Sequence, residues 1–240
     1  MSAQETAARG GGILKGYLFV TVFLSGASLM SLEMASFRLV QPEFGSDIIV
    51  WGSLISVFLG GMALGAFFGG KLADRAPRAW ILGIVLILSG LSVAFLQFYS
   101  DSVFSLFSSG NQINLRSLGI ESPDATQPAQ AAVQAPPDMR FVTLGAAAIM
   151  FLVPTLLIGM VSPFSARLLI RNLPKLGSGI GMISAVSTFG SIIGTLGSTF
   201  YLIQFLGTRM LMSANGILLS VLGLAALAVT QGMRKAAQAA

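Results

Sequence analysis

Six apolar runs, at about 16–41, 48–70, 79–98, 141–170, 177–204 and 209–229, alternate with polar segments that are short in all but one case. A hydrocarbon core about 30 Å thick needs roughly 20 apolar residues rising 1.5 Å each. Each run reaches that length, so the pattern predicts an all-α integral membrane bundle of about six transmembrane helices spanning 16–230. Tails at 1–15 and 231–240 flank it. The long polar segment, 99–140, is expected to be an external loop. Its first part, Val103-Phe104-Ser105-Leu106-Phe107, reads as an amphipathic turn in the interface. Its Pro-, Ala- and Gln-rich second part, Glu121–Asp138, reads as disordered.

Composition agrees with the pattern. Hydrophobic residues make up 54% and charged residues 10%, with a mean hydropathy of +0.82. A soluble domain would carry about 25% charged residues. Cys and His are both absent. That removes thiol nucleophiles, imidazole bases and the usual zinc or haem ligands, so neither a cofactor nor an enzyme activity is expected. The net charge of +5 comes from basic residues in short loops, where lipid headgroups and topology account for it without nucleic acid. With both termini in the cytoplasm, ten of the 14 Lys and Arg fall inside: Arg9, Lys15, Lys71, Arg75, Arg78, Arg167, Arg171, Lys175, Arg234 and Lys235. Arg38, Arg116, Arg140 and Arg209 fall outside.

Candidate functional residues lie inside the runs or at their ends. The first run carries Glu33 and Arg38, and intramembrane ionisable residues are functional hypotheses by default. Five residues apart, they are offset by roughly 140° around a helix and do not stack. The bland alternative is that Arg38 snorkels to the outer headgroups while Glu33 caps or pairs within the bundle. In the second run Gly61, Gly65 and Gly69 bare one helix face for close packing, and Lys71, Asp74, Arg75 and Arg78 mark its aqueous end. The third and sixth runs read as packing. Pro154 and Pro163 remove backbone donors from the fourth run, which is expected to bend before Arg167. In the fifth, Gly177, Gly181, Ser184, Thr188, Ser191, Thr195 and Ser198 recur at steps of four and three, widened by Ser187, Gly190, Gly194 and Gly197. This stripe is either a tight helix–helix seam or the polar wall of a path.

Several of these segments carry a resemblance. Glu33…Arg38…Phe44-Gly45, Leu72-Ala73-Asp74-Arg75, Val153-Pro154-Thr155-Leu156-Leu157-Ile158-Gly159-Met160…Pro163…Ser165-Ala166-Arg167, Gly181…Ala185-Val186-Ser187-Thr188-Phe189-Gly190-Ser191-Ile192-Ile193-Gly194 and Gly207-Thr208-Arg209 together resemble the membrane domain attached to bacterial spermidine synthase-like proteins. The resemblance implies the bacterial inner membrane. It also implies a soluble aminopropyltransferase domain, for which no strand–Gly-rich-turn–helix unit is present up to Ala240. The expected role is then a non-catalytic membrane subunit, anchor or substrate conduit for a separate partner. A second resemblance rests on Gly70-x-x-x-Asp74-Arg75-x-x-Arg78, which is similar to the loop between the second and third helices of major facilitator transporters. Six helices are half of such a fold. That resemblance implies a half-size transporter of a small charged solute such as a polyamine, working as a dimer, with Glu33 and Arg38 as candidate contacts.

Overall fold

The computed structural model describes residues 3–108, 137–169 and 176–238. The described residues form helices: α1 Ala3–Phe44, α2 Ile48–Arg75, α3 Ala79–Ser108, α4 Pro137–Gly159, α5 Val161–Leu169, α6 Leu176–Gly197, α7 Ile203–Leu206 and α8 Thr208–Gln238. A π-helical turn, Ser198–Leu202, joins α6 to α7. Among the described residues six spans are long and apolar enough to cross a membrane: Leu14–Phe44, Ile48–Arg75, Ala79–Phe107, Arg140–Leu169, Gly177–Leu206 and Thr208–Gly232. The fourth combines α4 with α5, and the fifth combines α6, the π turn and α7.

Helix ends follow local chemistry. Gly45, at φ +82°, stops α1, and the Asp47 side chain caps α2 by accepting from the Ile48 N–H. Gly207, at φ +74°, turns α7 into α8. The helices are longer than the apolar runs at several ends. α1 starts at Ala3 and α8 reaches Gln238, within the stretches expected as tails. α3 continues to Ser108, so Val103–Phe107 forms its last turns and not a separate turn. The reason is packing: Val103 and Phe104 are buried, and the Phe104 ring meets Phe44 edge-on. The expected disorder of Glu121–Asp138 falls largely outside the described residues.

The two prolines of the fourth span act differently. Pro154 leaves the Met150 carbonyl without its helical donor, and the Tyr99 hydroxyl supplies one at 3.2 Å, so α4 runs on unbroken. Pro163 likewise releases the Gly159 carbonyl, and there the helix breaks at Met160.

Packing follows a pattern. α1 lies against α6, α2 against α4, and α3 against α8; α3–α4 and α1–α8 form the next two interfaces. Exchanging the first three spans with the last three maps this set onto itself, as an inverted repeat requires. Glycines give the register. A Cβ added at Gly65 would fall on the Leu156 carbonyl, and one at Gly190 on the Phe23 carbonyl; both carbonyls lie three residues before a closely packed glycine, Gly159 or Gly26. Gly69 presses on Met160 as Gly194 presses on Ala27, each one residue after those glycines. Gly83 and Gly90 meet Gly223 and Gly216 reciprocally. Gly26 therefore corresponds to Gly159, Gly65 to Gly190, Gly69 to Gly194, Gly83 to Gly216 and Gly90 to Gly223. A side chain at any of these would separate two backbones now in contact.

Polar bonds inside the bundle reinforce the interfaces. Asn215 donates to Ser31 Oγ at 2.9 Å between α8 and α1, Gln97 donates to Ser213 Oγ at 2.9 Å between α3 and α8, and Tyr17 donates to the Leu222 carbonyl at 2.7 Å.

Candidate functional site

The break in the fourth span opens a groove. α5 restarts beyond Met160, and its Ser162, Pro163 and Ala166 form one wall of a cavity of about 560 Å³. α1 contributes Ser25, Gly26 and Leu29; α2 contributes residues from Leu59 to Ala66; α6 contributes residues from Ile180 to Ser187. Among the described residues the lining holds four serine hydroxyls and no ionisable side chain. The groove reaches Ala166, next to Arg167, at the end of the bundle where α2 also terminates.

At that end Arg167 Nε donates to Asp74 Oδ1 at 3.1 Å, tying the last turn of α2 to α5. Both side chains are exposed. Arg75 and Arg78 are exposed and make no ion pair among the described residues, and Lys71 lies 4.2 Å from the Phe67 ring centroid. At the opposite end Arg209 Nη2 donates to Asp101 Oδ1 at 2.7 Å, tying α8 to α3. This pair borders a second depression of about 590 Å³, whose lining includes Arg38 and Glu43.

The candidate residues thus separate into groups. Asp74 and Arg167 meet; Arg75 and Arg78 stand beside them in solvent. Pro163, Ser184 and Ser187 line the groove, while Pro154 is spent on the α3–α4 contact. Arg38 is exposed at the far end. Glu33 is partly buried in α1, and its carboxylate makes no hydrogen bond or ion pair among the described residues. The small-residue stripe of the fifth span is not one seam. Gly177, Gly181, Ser184 and Thr188 are exposed, whereas Gly190, Gly194 and Ser198 are buried and Ser191 donates to the Gly26 carbonyl at 3.3 Å. The first half of the stripe therefore faces open space, with Ser184 and Ser187 in the groove; the second half is a seam against α1.

Some contributing residues are absent from the sequence-level candidates: Ser25, Gly26 and Met62 in the groove, and the Asp101–Arg209 pair. Ser25 and Gly26 sit in a run that shows only Glu33 and Arg38 as unusual, and a lone Ser or Gly in an apolar helix carries no distinguishing signal. Asp101 lies beyond the apolar run, which ends at Phe98, so the pattern alone puts it in a loop.

The protein is therefore a polytopic membrane bundle of six spans, built as an inverted repeat of three and resembling one half of a major facilitator fold. Similarity to curated proteins points the same way. The chain is 36% identical over 89 residues to the cis,cis-muconate transport protein of Acinetobacter baylyi, which covers 34% of this chain and 21% of that protein. It is 39% identical over 77 residues to the 4-hydroxybenzoate transporter PcaK of Pseudomonas putida, covering 32% of this chain and 17% of that protein. The chain thus spans about a fifth of the length of the curated relatives it matches. No family model matches the chain, and no solved structure matches it. These relatives support a transporter-like membrane protein; none supports the spermidine synthase-like family.

Proposed function

We propose that the chain forms half of a transporter for a small charged solute and works as a homodimer in the bacterial inner membrane, with the Asp74 end in the cytoplasm. The groove carries this reading. It lies between four spans, reaches one end of the bundle, and has one side that the described helices leave uncovered. The fifth span supports the dimer: only 17% of its most apolar window is buried within the bundle, against 39–56% for the other five. Its uncovered face and that of α2 flank the groove, so a second copy related by a two-fold axis along the membrane normal would close the groove into a shared chamber. The basic residues around Asp74 support the orientation.

The Asp74–Arg167 pair is suited to latching the groove end. Both groups are exposed, so the pair contributes about 0–1 kcal/mol and can be made and broken during a transport cycle. Reconstitution into vesicles tests the reading, with radiolabelled spermidine and 4-hydroxybenzoate as probes and native mass measured in parallel. Uptake of either probe by a dimer supports it. A monomer without uptake sinks it, and copurification of a stoichiometric soluble partner would favour the membrane-subunit role.

A further inference from the structure

The glycine register turns the open groove into a map of a second one. With Gly26 matched to Gly159 and Gly65 to Gly190, each lining residue acquires a counterpart in the other half of the repeat. The deepest residues exchange among themselves: Ser25 with Ile158, Leu29 with Ser162, and Met62 with Ser187, all of which line the groove already. The residues nearer its mouth acquire counterparts outside it. Pro163 corresponds to Met30, Ala66 to Ser191, and Ala166 to Glu33, since Ala166 and Glu33 each stand seven residues past their matched glycines.

The mirrored groove would therefore share its floor with the observed one, open at the opposite end of the bundle, and hold one ionisable side chain, Glu33. Its wall would be the α1–α6 seam, the counterpart of the α2–α4 seam beside the open groove, where Gly190 and Gly194 press on Phe23 and Ala27 and Ser191 bonds the Gly26 carbonyl. That carbonyl is the counterpart of Gly159, whose release by Pro163 marks the break on the open side. The carboxylate of Glu33 is meanwhile without a partner among the described residues, and a charged group at that depth is costly unless something meets it.

We propose that Glu33 lines this second, outward-opening form of the groove and that its carboxylate receives a small organic cation. The inference rests on the transport reading and adds the sign of the solute and the residue that reads it.

The absence of cysteine makes the test direct. Single-cysteine variants Ala166→Cys, Glu33→Cys and Met30→Cys of the full chain are reconstituted in vesicles of known orientation and exposed to a membrane-impermeant maleimide. Ala166→Cys is expected to react from the Asp74 face, and Glu33→Cys and Met30→Cys from the opposite face, with a preference of about tenfold as a minor state is trapped by the reagent. Met30→Cys keeps the carboxylate and serves if Glu33→Cys does not fold. Spermidine should protect Met30→Cys from labelling, 4-hydroxybenzoate should not, and adding Glu33→Gln should remove the protection. If Ala166→Cys labels but neither α1 position does so from the far face, the mirrored groove is wrong while the transport reading stands. Failure of Ala166→Cys to label removes the groove itself. Protection by 4-hydroxybenzoate, or none by spermidine, overturns the assignment of a cation.

Discussion

Glycine positions where two backbones touch are the least replaceable residues in the bundle. Gly65 stands against Leu156 and Gly159, so Gly65→Leu must push α2 away from α4 along their whole interface. Overpacking of this kind costs about 1–3 kcal/mol and should appear as a lower thermal midpoint of the detergent-solubilised protein. Gly60, one residue beyond the close stripe, has open space where a Cβ would go, and Gly60→Ala should leave that midpoint unchanged. Glu33 belongs to a different class. It is partly buried and its carboxylate makes no hydrogen bond or ion pair among the described residues, so removing its charge breaks none of their contacts. Glu33→Gln should preserve expression and the melting curve while reducing uptake; a loss of folded protein would instead make the carboxylate structural.

At the scale of the helix, the fourth span shows how the same residue type yields opposite outcomes. Pro154 and Pro163 both release a carbonyl, but among the described residues only that of Met150 finds a side-chain donor. Tyr99→Phe removes that donor and leaves a released carbonyl inside the bundle. The expected cost is about 1 kcal/mol, toward the lower end of the range for an unsatisfied polar group because partners are also found in the membrane-unfolded state. Pro154→Ala restores the helical N–H, so the double variant should recover most of the loss in a thermal double-mutant cycle. Additive losses would show that Tyr99 acts through packing alone. The prolines and their tendency to bend the span were legible in the sequence; which one breaks it was not, because the answer depends on a tyrosine in another helix. The same limit applies to the fifth span. Its period of small residues is real, but periodicity cannot say that α1 covers only the second half. It applies again to α3, where Ser100-Asp101-Ser102 interrupts the apolar run and the last turns beyond it are held by Phe44 from α1.

For the whole molecule, the number of spans, their order and the charged end were all readable, because hydropathy and loop charge act locally. The inverted repeat was not, since identities between corresponding helices are few and scattered; the densest, Gly83-Ile84-x-Leu86-x-x-x-Gly90-Leu91 against Gly216-Ile217-x-Leu219-x-x-x-Gly223-Leu224, is a short apolar stretch without a polar marker. That repeat gives the break at Gly159 a meaning beyond its own helix: it is a point at which the two halves of the repeat differ. α1 passes its matched glycine, Gly26, without interruption, and residue 30 there is Met where the fourth span has Pro163. If the asymmetry holds the groove open toward the Asp74 end, Pro163→Ala should return the missing donor to the Gly159 carbonyl and favour a straighter helix. Labelling of Ala166→Cys from that end should then fall by about tenfold, corresponding to about 1.4 kcal/mol of population shift, and labelling of Met30→Cys from the other end should rise. Equal labelling at Ala166→Cys with and without the proline would mean that the break is set by the glycine contact with α2 and not by the missing hydrogen bond. A fall at Ala166→Cys with no rise at Met30→Cys would show instead that the two grooves are not alternatives of a single equilibrium.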